Sequence, residues 1–277
     1  MRALAGLGLG IAVLAVLHGG SAARISVPTF VAAHRGGALL WPENSLLAFR
    51  NAIALGADYL EFDVHLSRDG EVVVIHDPTL DRTTSGGGPV RDRSLAELRA
   101  LRLRDGTGGV TEESLPTLDE VARLVTPGNR QMLVEIKVDE RGRRYPEIEE
   151  KVLAILDRRG TTHAAVVMAF ERETWRRVRE LRPDVRAGAL YSPRTLDAMG
   201  STAAHEMEAA QKAGVVFVGL QHSLIGADVV DQARRLRLVL GAWTVNEEGA
   251  MVRLIQLGVG LIISDRPDLA IRALAIR

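Results

Sequence analysis

The sequence predicts an α/β fold of the (β/α)₈ barrel type. Short apolar strands alternate with helical segments from Phe30 to the end of the chain. The strands are continuous apolar runs, which indicates burial on both faces and therefore a parallel sheet covered by helices. Counting residues 59–75 as one strand with a turn at 67–70 gives eight strand–helix units, the number in such a barrel. A doubly wound open sheet is the alternative, but it would not bring acids from distant strands to one centre.

The elements follow one another with short connections. Apolar runs predict strands at residues 30–33, 59–66, 71–75, 132–138, 164–170, 185–191, 215–220, 238–245 and 261–264. Helical periodicity between those runs predicts helices at residues 44–55, 118–125, 146–159, 172–181, 203–213, 227–236, 247–257 and 269–275.

One segment departs from this alternation. Residues 76–116 are rich in glycine and arginine around a short predicted helix at 95–101. Loops of this length inside a compact domain usually serve a site or are disordered. Because the segment follows the carboxyl end of a strand, where such barrels carry their chemistry, we predict a lid or a wall for a substrate.

Composition excludes several functional classes. Hydrophobic residues make up 47% of the 277 residues and aromatic residues only 4%, so the core is aliphatic. The 35 basic and 35 acidic residues give a net charge of zero, which leaves no field of one sign for a nucleic acid or an anionic bilayer. The absence of cysteine excludes disulfides, thiolate metal sites and cysteine nucleophiles.

The amino terminus has the pattern of a secretory signal. A charged start precedes an apolar run at residues 3–17, which is shorter than the roughly 20 residues needed to span a bilayer, and Ser21 and Ala23 suit a signal peptidase. We predict a signal peptide at 1–23, one barrel domain at 24–277, and a secreted or periplasmic protein without stable membrane insertion after cleavage. An uncleaved anchor is the alternative.

Two of the predicted strands carry acidic side chains on a face that is expected to point toward the interior. Glu61 and Asp63 share one face of the strand at 59–66, because strand side chains alternate with period two. Glu135 and Lys137 share a face of the strand at 132–138. One such pair alone would favour a strand face in contact with water. Two strands that turn acids toward a common interior imply a polar centre, and a polar centre of this kind needs a cation.

Further polar residues stand at or near the carboxyl ends of strands, where catalytic groups collect in this fold. His34 and Arg35 follow the first strand, His76 ends the extension of the second, and Trp243 lies near the end of the strand at 238–245. A single histidine after an apolar run is usually a core residue, but two in register with acids on neighbouring strands are not explained that way. His65 shares the strand phase of the acids and is predicted to lie at the surface, toward the mouth.

These residues fall within motifs that occur in a fixed order. The motifs are His34-Arg-Gly36, Pro42-Glu-Asn-Ser45, Glu61-Phe-Asp63, Asp69-Gly-Glu-Val-Val-Val-Ile-His-Asp77, Leu80-Asp-Arg-Thr-Thr84, Glu135-Ile-Lys137, Trp243-Thr-Val-Asn246 and Ile262-Ile-Ser-Asp265. Together they resemble the glycerophosphodiester phosphodiesterase family, from about Phe30 onward. The resemblance implies a TIM-type barrel with a small insertion after the second strand, at about residues 77–116.

The resemblance also implies a metal site. It makes Glu61, Asp63 and Glu135 the ligands of one divalent cation. Ligation by oxygen alone suits Mg²⁺ or Ca²⁺ rather than zinc or copper, and the choice between the two depends on the size of the cavity.

The remaining site residues have roles by the same resemblance. His34 and His76 match the acid–base pair, since an unperturbed histidine titrates near neutrality. Arg35 and Lys137 match positions that bind phosphate oxygens. Trp243 could simply be a core residue, but its position at the carboxyl end of a strand predicts that it lines the substrate pocket.

Glu43 and Asn44 have two interpretations. They could orient Arg35 or a histidine from behind the site, or they could simply begin the helix that follows.

The implied activity is metal-dependent hydrolysis of small-molecule glycerophosphodiesters to glycerol 3-phosphate and an alcohol. One alternative is phospholipase D-type activity on lysophospholipids or sphingomyelin, although a glycine- and arginine-rich insertion favours a small polar substrate. A second alternative is a barrel that only binds a ligand. Such a barrel would be expected to have lost a histidine or an acid, and all are present.

Overall fold

The computed structural model describes residues 28–125 and 130–275. The predicted signal peptide and its cleavage after Ala23 lie outside the described residues and stay predictions. Among the helices in the described ranges, none has the length and hydropathy needed to cross a membrane.

Strands within the described ranges form one sheet. They are β1 (Phe30–Ala33), β2 (Tyr59–Leu66), β3 (Val72–Val74), β4 (Gln131–Ile136), β5 (Ala165–Ala169), β6 (Arg186–Tyr191), β7 (Phe217–Gln221), β8 (Val239–Trp243) and β9 (Leu261–Ser264). All pairings are parallel except that between β2 and β3. Because β1 pairs with both β9 and β2, the parallel strands close into a barrel, which confirms the predicted (β/α)₈ fold.

Helices cover the outside of this barrel, apart from α2 (Leu95–Arg99), which belongs to the insertion. They are α1 (Leu46–Leu55), α2 (Leu95–Arg99), α3 (Leu118–Val125), α4 (Ile148–Arg159), α5 (Arg172–Leu181), α6 (Pro193–Met199), α7 (Ala203–Lys212), α8 (Ala227–Leu236), α9 (Glu248–Leu257) and α10 (Pro267–Ala275). The helix α6 was not predicted from the sequence. The boundaries of the other elements agree with the predicted ones to within a few residues.

Apolar side chains fill two layers of the barrel. The outer layer, between strands and helices, includes fully buried Phe62 and Trp175. The inner layer fills the barrel itself and includes Leu133 and Phe217. A Cβ atom built on Gly241 would lie 2.6 Å from the ring of Phe217, so glycine at this position leaves the space that the ring occupies.

The insertion has a core of its own. Fully or almost fully buried side chains from β3 and from residues 75–115 form a third apolar cluster, whose members are Val73, Ile75, Leu80, Val90, Leu98, Leu103 and Leu115. Arg91 of the insertion pairs with Asp139, in the loop after β4, and so attaches the insertion to the barrel. The long segment is therefore a folded unit and not an extended loop.

Candidate active site

Three acidic side chains meet inside the rim of the barrel. Asp63 on β2 and Glu135 on β4 are lateral partners in the register of the two strands. Glu61 precedes Asp63 by two residues and therefore points to the same face of β2. One carboxylate oxygen from each residue lies within 4.8 Å of the other two, and all three residues are buried. The structure thus brings the three predicted metal ligands to one point.

Two histidines share the cavity with these acids. His34 begins a 3₁₀ turn after β1, and its Nε2 lies 3.8 Å from Oε2 of Glu61. His76 follows β3, whose antiparallel course returns the chain from the rim. The amide N–H of Ile75 donates to the carbonyl of Asp63 at 3.0 Å, so His76 arrives close to the level of the acids.

Each histidine has a carboxylate at Nδ1. The distance from His34 Nδ1 to Oδ1 of Asp265 is 2.6 Å, and that from His76 Nδ1 to Oδ1 of Asp77 is also 2.6 Å. An ionised carboxylate only accepts, so both rings carry Nδ1–H and leave Nε2 for the cavity. Burial would lower the pKa of His34, but Glu61 and Asp265 raise it above its usual value.

Asp265 is itself held in place by an amide. Nδ2 of Asn246 donates to Oδ2 of Asp265 at 2.8 Å, and the amide N–H of Asp265 donates to Oδ1 of Asn246 at 3.0 Å. Both residues lie within motifs of the sequence, but no role was predicted for either of them. Their positions could have indicated a role in the site, because Asn246 closely follows the carboxyl end of β8 and Asp265 follows that of β9.

Two basic side chains reach the acids. Nζ of Lys137 lies 2.6 Å from Oε1 of Glu135 and 3.5 Å from Oδ1 of Asp63. Nε of Arg35 lies 3.7 Å from Oδ2 of Asp63, and its backbone N–H donates to Oε2 of Glu61 at 2.9 Å. Both predicted phosphate-binding residues are therefore in the site.

The ionisation of the acids differs sharply between neighbours. Burial raises the pKa of Glu61 above its usual value; His34 opposes this shift, and Asp63 and Glu135 add to it. Burial also disfavours the charged form of Asp63, but Lys137, followed by His76 and Arg35, lowers the pKa of Asp63 below its usual value. Three carboxylates this close repel one another, so added positive charge is favourable here.

The donors present fit a hard divalent cation. All three carboxylates offer oxygen, which Mg²⁺ and Ca²⁺ prefer. Oδ1 of Asp63 is buried and accepts no hydrogen bond from the described residues, so it is left with lone pairs to offer. Glu61, Asp63 and Glu135 are thus the residues that would hold such an ion.

Glu43 and Asn44 stand directly behind the site. Oε1 of Glu43 accepts from Nη1 of Arg35 at 3.1 Å, and Nδ2 of Asn44 donates to Oδ2 of Asp63 at 3.1 Å. Arg35 and Asn44 both have left-handed backbone conformations, with φ of 50° and 57°. Asparagine tolerates this conformation, but it is costly for arginine, and such strained residues gather at functional sites. The start of α1 is instead capped by Ser45.

His65 is not at the surface as predicted. It is fully buried, its Nε2 lies 3.0 Å from the carbonyl oxygen of His76, and its Nδ1 lies 2.9 Å from the hydroxyl of Tyr145. A carbonyl oxygen accepts only, so Nε2 donates and Nδ1 accepts from Tyr145. The prediction was wrong because β3 and the loop after β4 cover this part of β2.

The acids and histidines open into a cavity of about 130 Å³. Its lining residues are His34, Arg35, Glu61, His76, Glu135, Lys137, Met168, Phe170, Leu190, Trp243, Thr244 and Ile263. The rings of Trp243 and Phe170 meet edge to face at 5.5 Å, which gives the cavity an aromatic wall. No residue of 77–116 is among the lining residues, so the insertion does not form the wall of this cavity.

Acid–base chemistry on an anion needs proton carriers and fixed positive charge in one cavity. The carboxyl ends of these strands supply both, at the place where (β/α)₈ barrels bind their substrates. The fold and the site thus define the chain as a barrel enzyme.

Comparisons with known proteins agree on one family. The model of the glycerophosphoryl diester phosphodiesterase family matches residues 34–269. A glycerophosphodiester phosphodiesterase of Caldanaerobacter subterraneus is 35% identical over 87% of this chain and 95% of its own. A crystal structure of a putative glycerophosphoryl diester phosphodiesterase from Agrobacterium tumefaciens superposes with a TM-score of 0.82 at 27% identity, covering 90% of this chain and 98% of its own.

A further solved structure carries a ligand. It is a phosphodiesterase from Oleispira antarctica in complex with the product sn-glycerol-3-phosphate, with a TM-score of 0.75 at 25% identity over 90% of this chain and 97% of its own. The present chain belongs to the glycerophosphoryl diester phosphodiesterase family. The prediction that it is an enzyme, a phosphoric diester hydrolase, is confirmed.

Proposed function

We propose that the chain hydrolyses glycerophosphodiesters to glycerol 3-phosphate and an alcohol, with one divalent cation held by Glu61, Asp63 and Glu135. The observation that carries the proposal is the meeting of these three acids with two histidines that each present Nε2 to one small cavity. Membership of the family supports the reaction class. The complex of the Oleispira antarctica relative with sn-glycerol-3-phosphate supports the product.

The cation would supply Lewis acidity toward the phosphate and the glycerol hydroxyls when bound, and either Mg²⁺ or Ca²⁺ meets this requirement. Arg35 and Lys137 bind the phosphoryl oxygens and stabilise the negative charge that grows on them. Trp243 lines the part of the cavity that receives the apolar side of the substrate.

His34 and His76 move the protons. One Nε2 takes the proton from a glycerol hydroxyl, whose oxygen forms a bond to phosphorus, while the other protonates the alcohol oxygen as its bond to phosphorus breaks. Water then opens the resulting cyclic phosphate, with the two histidines exchanging roles. The carboxylates of Asp265 and Asp77 hold the tautomers that this exchange requires.

The test is release of glycerol 3-phosphate from glycerophosphocholine by the chain from Arg24 onward. We expect release in the presence of Mg²⁺ or Ca²⁺ and its loss on addition of a chelator. Glu135→Gln should be compared with Glu180→Gln. The second substitution is the matched control, because Glu180 is exposed and distant in sequence from the acids. Only the first substitution is expected to reduce turnover.

Two results would count against the proposal. Turnover that persists in full after the metal is chelated contradicts the role of the cation. Absence of release with either metal contradicts the substrate, and assays with lysophospholipids would then distinguish the phospholipase D-type alternative from a barrel that only binds a ligand.

A further inference from the structure

One arginine of the insertion contacts the partners of two site residues at once. Nη1 and Nη2 of Arg82 donate to Oε2 and Oε1 of Glu43 at 2.8 and 2.9 Å. Nε and Nη2 of the same guanidinium donate to Oδ2 and Oδ1 of Asp77 at 2.7 and 3.0 Å. Both carboxylates are therefore bound in the bidentate manner for which a guanidinium is suited.

These contacts continue to the site on both sides. Asp77 accepts from Nδ1 of His76, and Glu43 accepts from Nη1 of Arg35. The result is a continuous chain of side-chain hydrogen bonds with Arg82 at its centre. Its members, from one side of the cavity to the other, are His76, Asp77, Arg82, Glu43 and Arg35.

The position of Arg82 is fixed by the fold of the insertion. Leu80 and Thr84 on either side of it are fully buried. The amide and hydroxyl groups of Thr84 both donate to the carbonyl of Leu80, at 3.1 and 2.7 Å, which closes a tight turn. Arg82 lies on this turn with its side chain half exposed. Arg82 thus links the insertion, which does not line the cavity, to the partners of His76 and Arg35.

The effect of Arg82 on the site comes from the geometry of its hydrogen bonds rather than from its charge. An exposed ion pair contributes on average less than about 1 kcal/mol, so Arg82 has little value as a stabilising charge. Four hydrogen bonds from a planar guanidinium, however, fix the orientation of two carboxylates at once. Hydrogen bonds from His76 and then Arg82 lower the pKa of Asp77, which keeps this carboxylate an acceptor at neutral pH.

We propose that Arg82 is a positioning residue, which orients His76 through Asp77 and the guanidinium of Arg35 through Glu43. The proposal rests on the function proposed above for His76 and Arg35. Without Arg82, Asp77 can turn away from Nδ1 of His76. Glu43, which accepts from both Arg82 and Arg35, then keeps Arg35 but loses the guanidinium that fixes its orientation. The ring then loses its single tautomer and the phosphate-binding guanidinium loses its fixed direction.

The kinetic test compares Arg82→Ala and Arg82→Lys with Arg102→Ala. Arg102 is exposed in the same insertion, and no contact of its side chain is found in the described part of the chain. We expect the alanine variant to lose about 100-fold in kcat/KM, as displaced catalytic groups typically do. The lysine variant should fall between it and the wild type because an ammonium keeps the charge without the planar fork. Arg102→Ala should match the wild type.

Two readouts separate positioning from general damage to the fold. Added guanidinium ion should restore part of the activity of Arg82→Ala and leave that of Arg102→Ala unchanged. In ¹⁵N NMR spectra of the protein without metal or substrate, the neutral form of the His76 ring in the wild type should be a single tautomer with the proton on Nδ1. The same ring in both Arg82 variants should show a mixture of tautomers.

Wild-type kinetics in both Arg82 variants, or a single unchanged His76 tautomer in both, would overturn the proposal. If the alanine variant does not fold, the lysine variant decides by the same two criteria. A wild type that fails to hydrolyse any glycerophosphodiester contradicts the proposed function instead, and the tautomer of His76 still tests the role of Arg82.

Discussion

Both histidines of the site direct Nδ1 at an aspartate, but the two aspartates are held differently. Asp265 is fixed by the neutral amide of Asn246, whereas Asp77 is fixed by the charged guanidinium of Arg82. The first pair belongs wholly to the barrel. The second depends on the insertion, so the two proton carriers proposed for this site have independent supports.

Removal of either ring tests the proposed acid–base pair. Separate His34→Ala and His76→Ala substitutions should each reduce turnover by about 10²- to 10⁴-fold, the usual contribution of a positioned acid or base. Binding of the cation, measured by titration calorimetry, should persist because neither ring belongs to the acidic cluster. The control is His163→Ala, since His163 is exposed at the opposite end of the barrel, just before β5. Turnover at the wild-type rate in both variants would exclude the pair.

Sequence predicted the charged residues at the site better than their partners. Strand phase placed Glu61, Asp63 and Glu135 on one interior face, because period two is set by the backbone alone. The same phase put His65 with them, and only the covering by Tyr145 decides that it is buried. Partnerships that span the chain are set by tertiary packing, which explains why the roles of Asp77, Arg82 and Asp265 could not be assigned from sequence.

At the scale of elements, the strands and most helices followed from apolar periodicity. The exception is α6, where a helix of seven residues is too short to show a period. Its signals were local ones, since Ser192 caps the first turn and Pro193 occupies its first position. The insertion was recognised from its length and composition, but its apolar core was not, because no regular period marks it.

The loop after β4, to which Arg91 of the insertion is bound, should contribute to stability in a pH-dependent way. Burial alone would raise the pKa of Asp139, but hydrogen bonds from Arg143 and Arg141 lower it to about 2. A carboxyl whose pKa is lower in the folded state stabilises the fold above its unfolded pKa, about 3.9, and loses this contribution as pH falls toward 2. Asp139→Asn should therefore reduce the free energy of unfolding by about 2 kcal/mol at pH 7.

Chemical denaturation across pH measures this effect. The difference in unfolding free energy between wild type and Asp139→Asn should shrink as pH falls from 4 to 2. Asp231→Asn is the control, because Asp231 is exposed on α8 and its ion pair among the described residues is with Arg234 of the same helix. If the difference in unfolding free energy between wild type and Asp139→Asn stays constant from pH 7 to pH 2, folding does not lower the pKa of Asp139.

At the scale of the whole molecule, the closed barrel was predictable because its evidence is repeated. Each strand–helix unit carries the same apolar signal, so errors of a few residues at individual boundaries do not change the count. The register between strands is a different matter. The lateral pairing of Asp63 with Glu135 is set by the register between β2 and β4, and no local pattern encodes it.

Because the acids repel one another inside the folded barrel, a bound cation should stabilise the whole chain. Mg²⁺ or Ca²⁺ at about 100 times its dissociation constant should add about 2.7 kcal/mol to the free energy of unfolding. For a chain of this size that is a rise in Tm of several degrees, at about 2–4 °C per kcal/mol. Thermal melts with metal and with chelator measure the shift, which Glu61→Gln should reduce. A Tm that is insensitive to both cations would argue against the site.

The pairing of β1 with β9 also has a consequence for the order in which the site comes into being. His34 stands near the start of the described chain, and its partner Asp265 comes 231 residues later. A nascent polypeptide that has left the ribosome as far as α9 already contains both histidines and all three acids, yet it lacks the aspartate that orients one of the rings. The complete arrangement is therefore assembled only after β9 and Asp265 have been synthesised and β9 has closed the barrel.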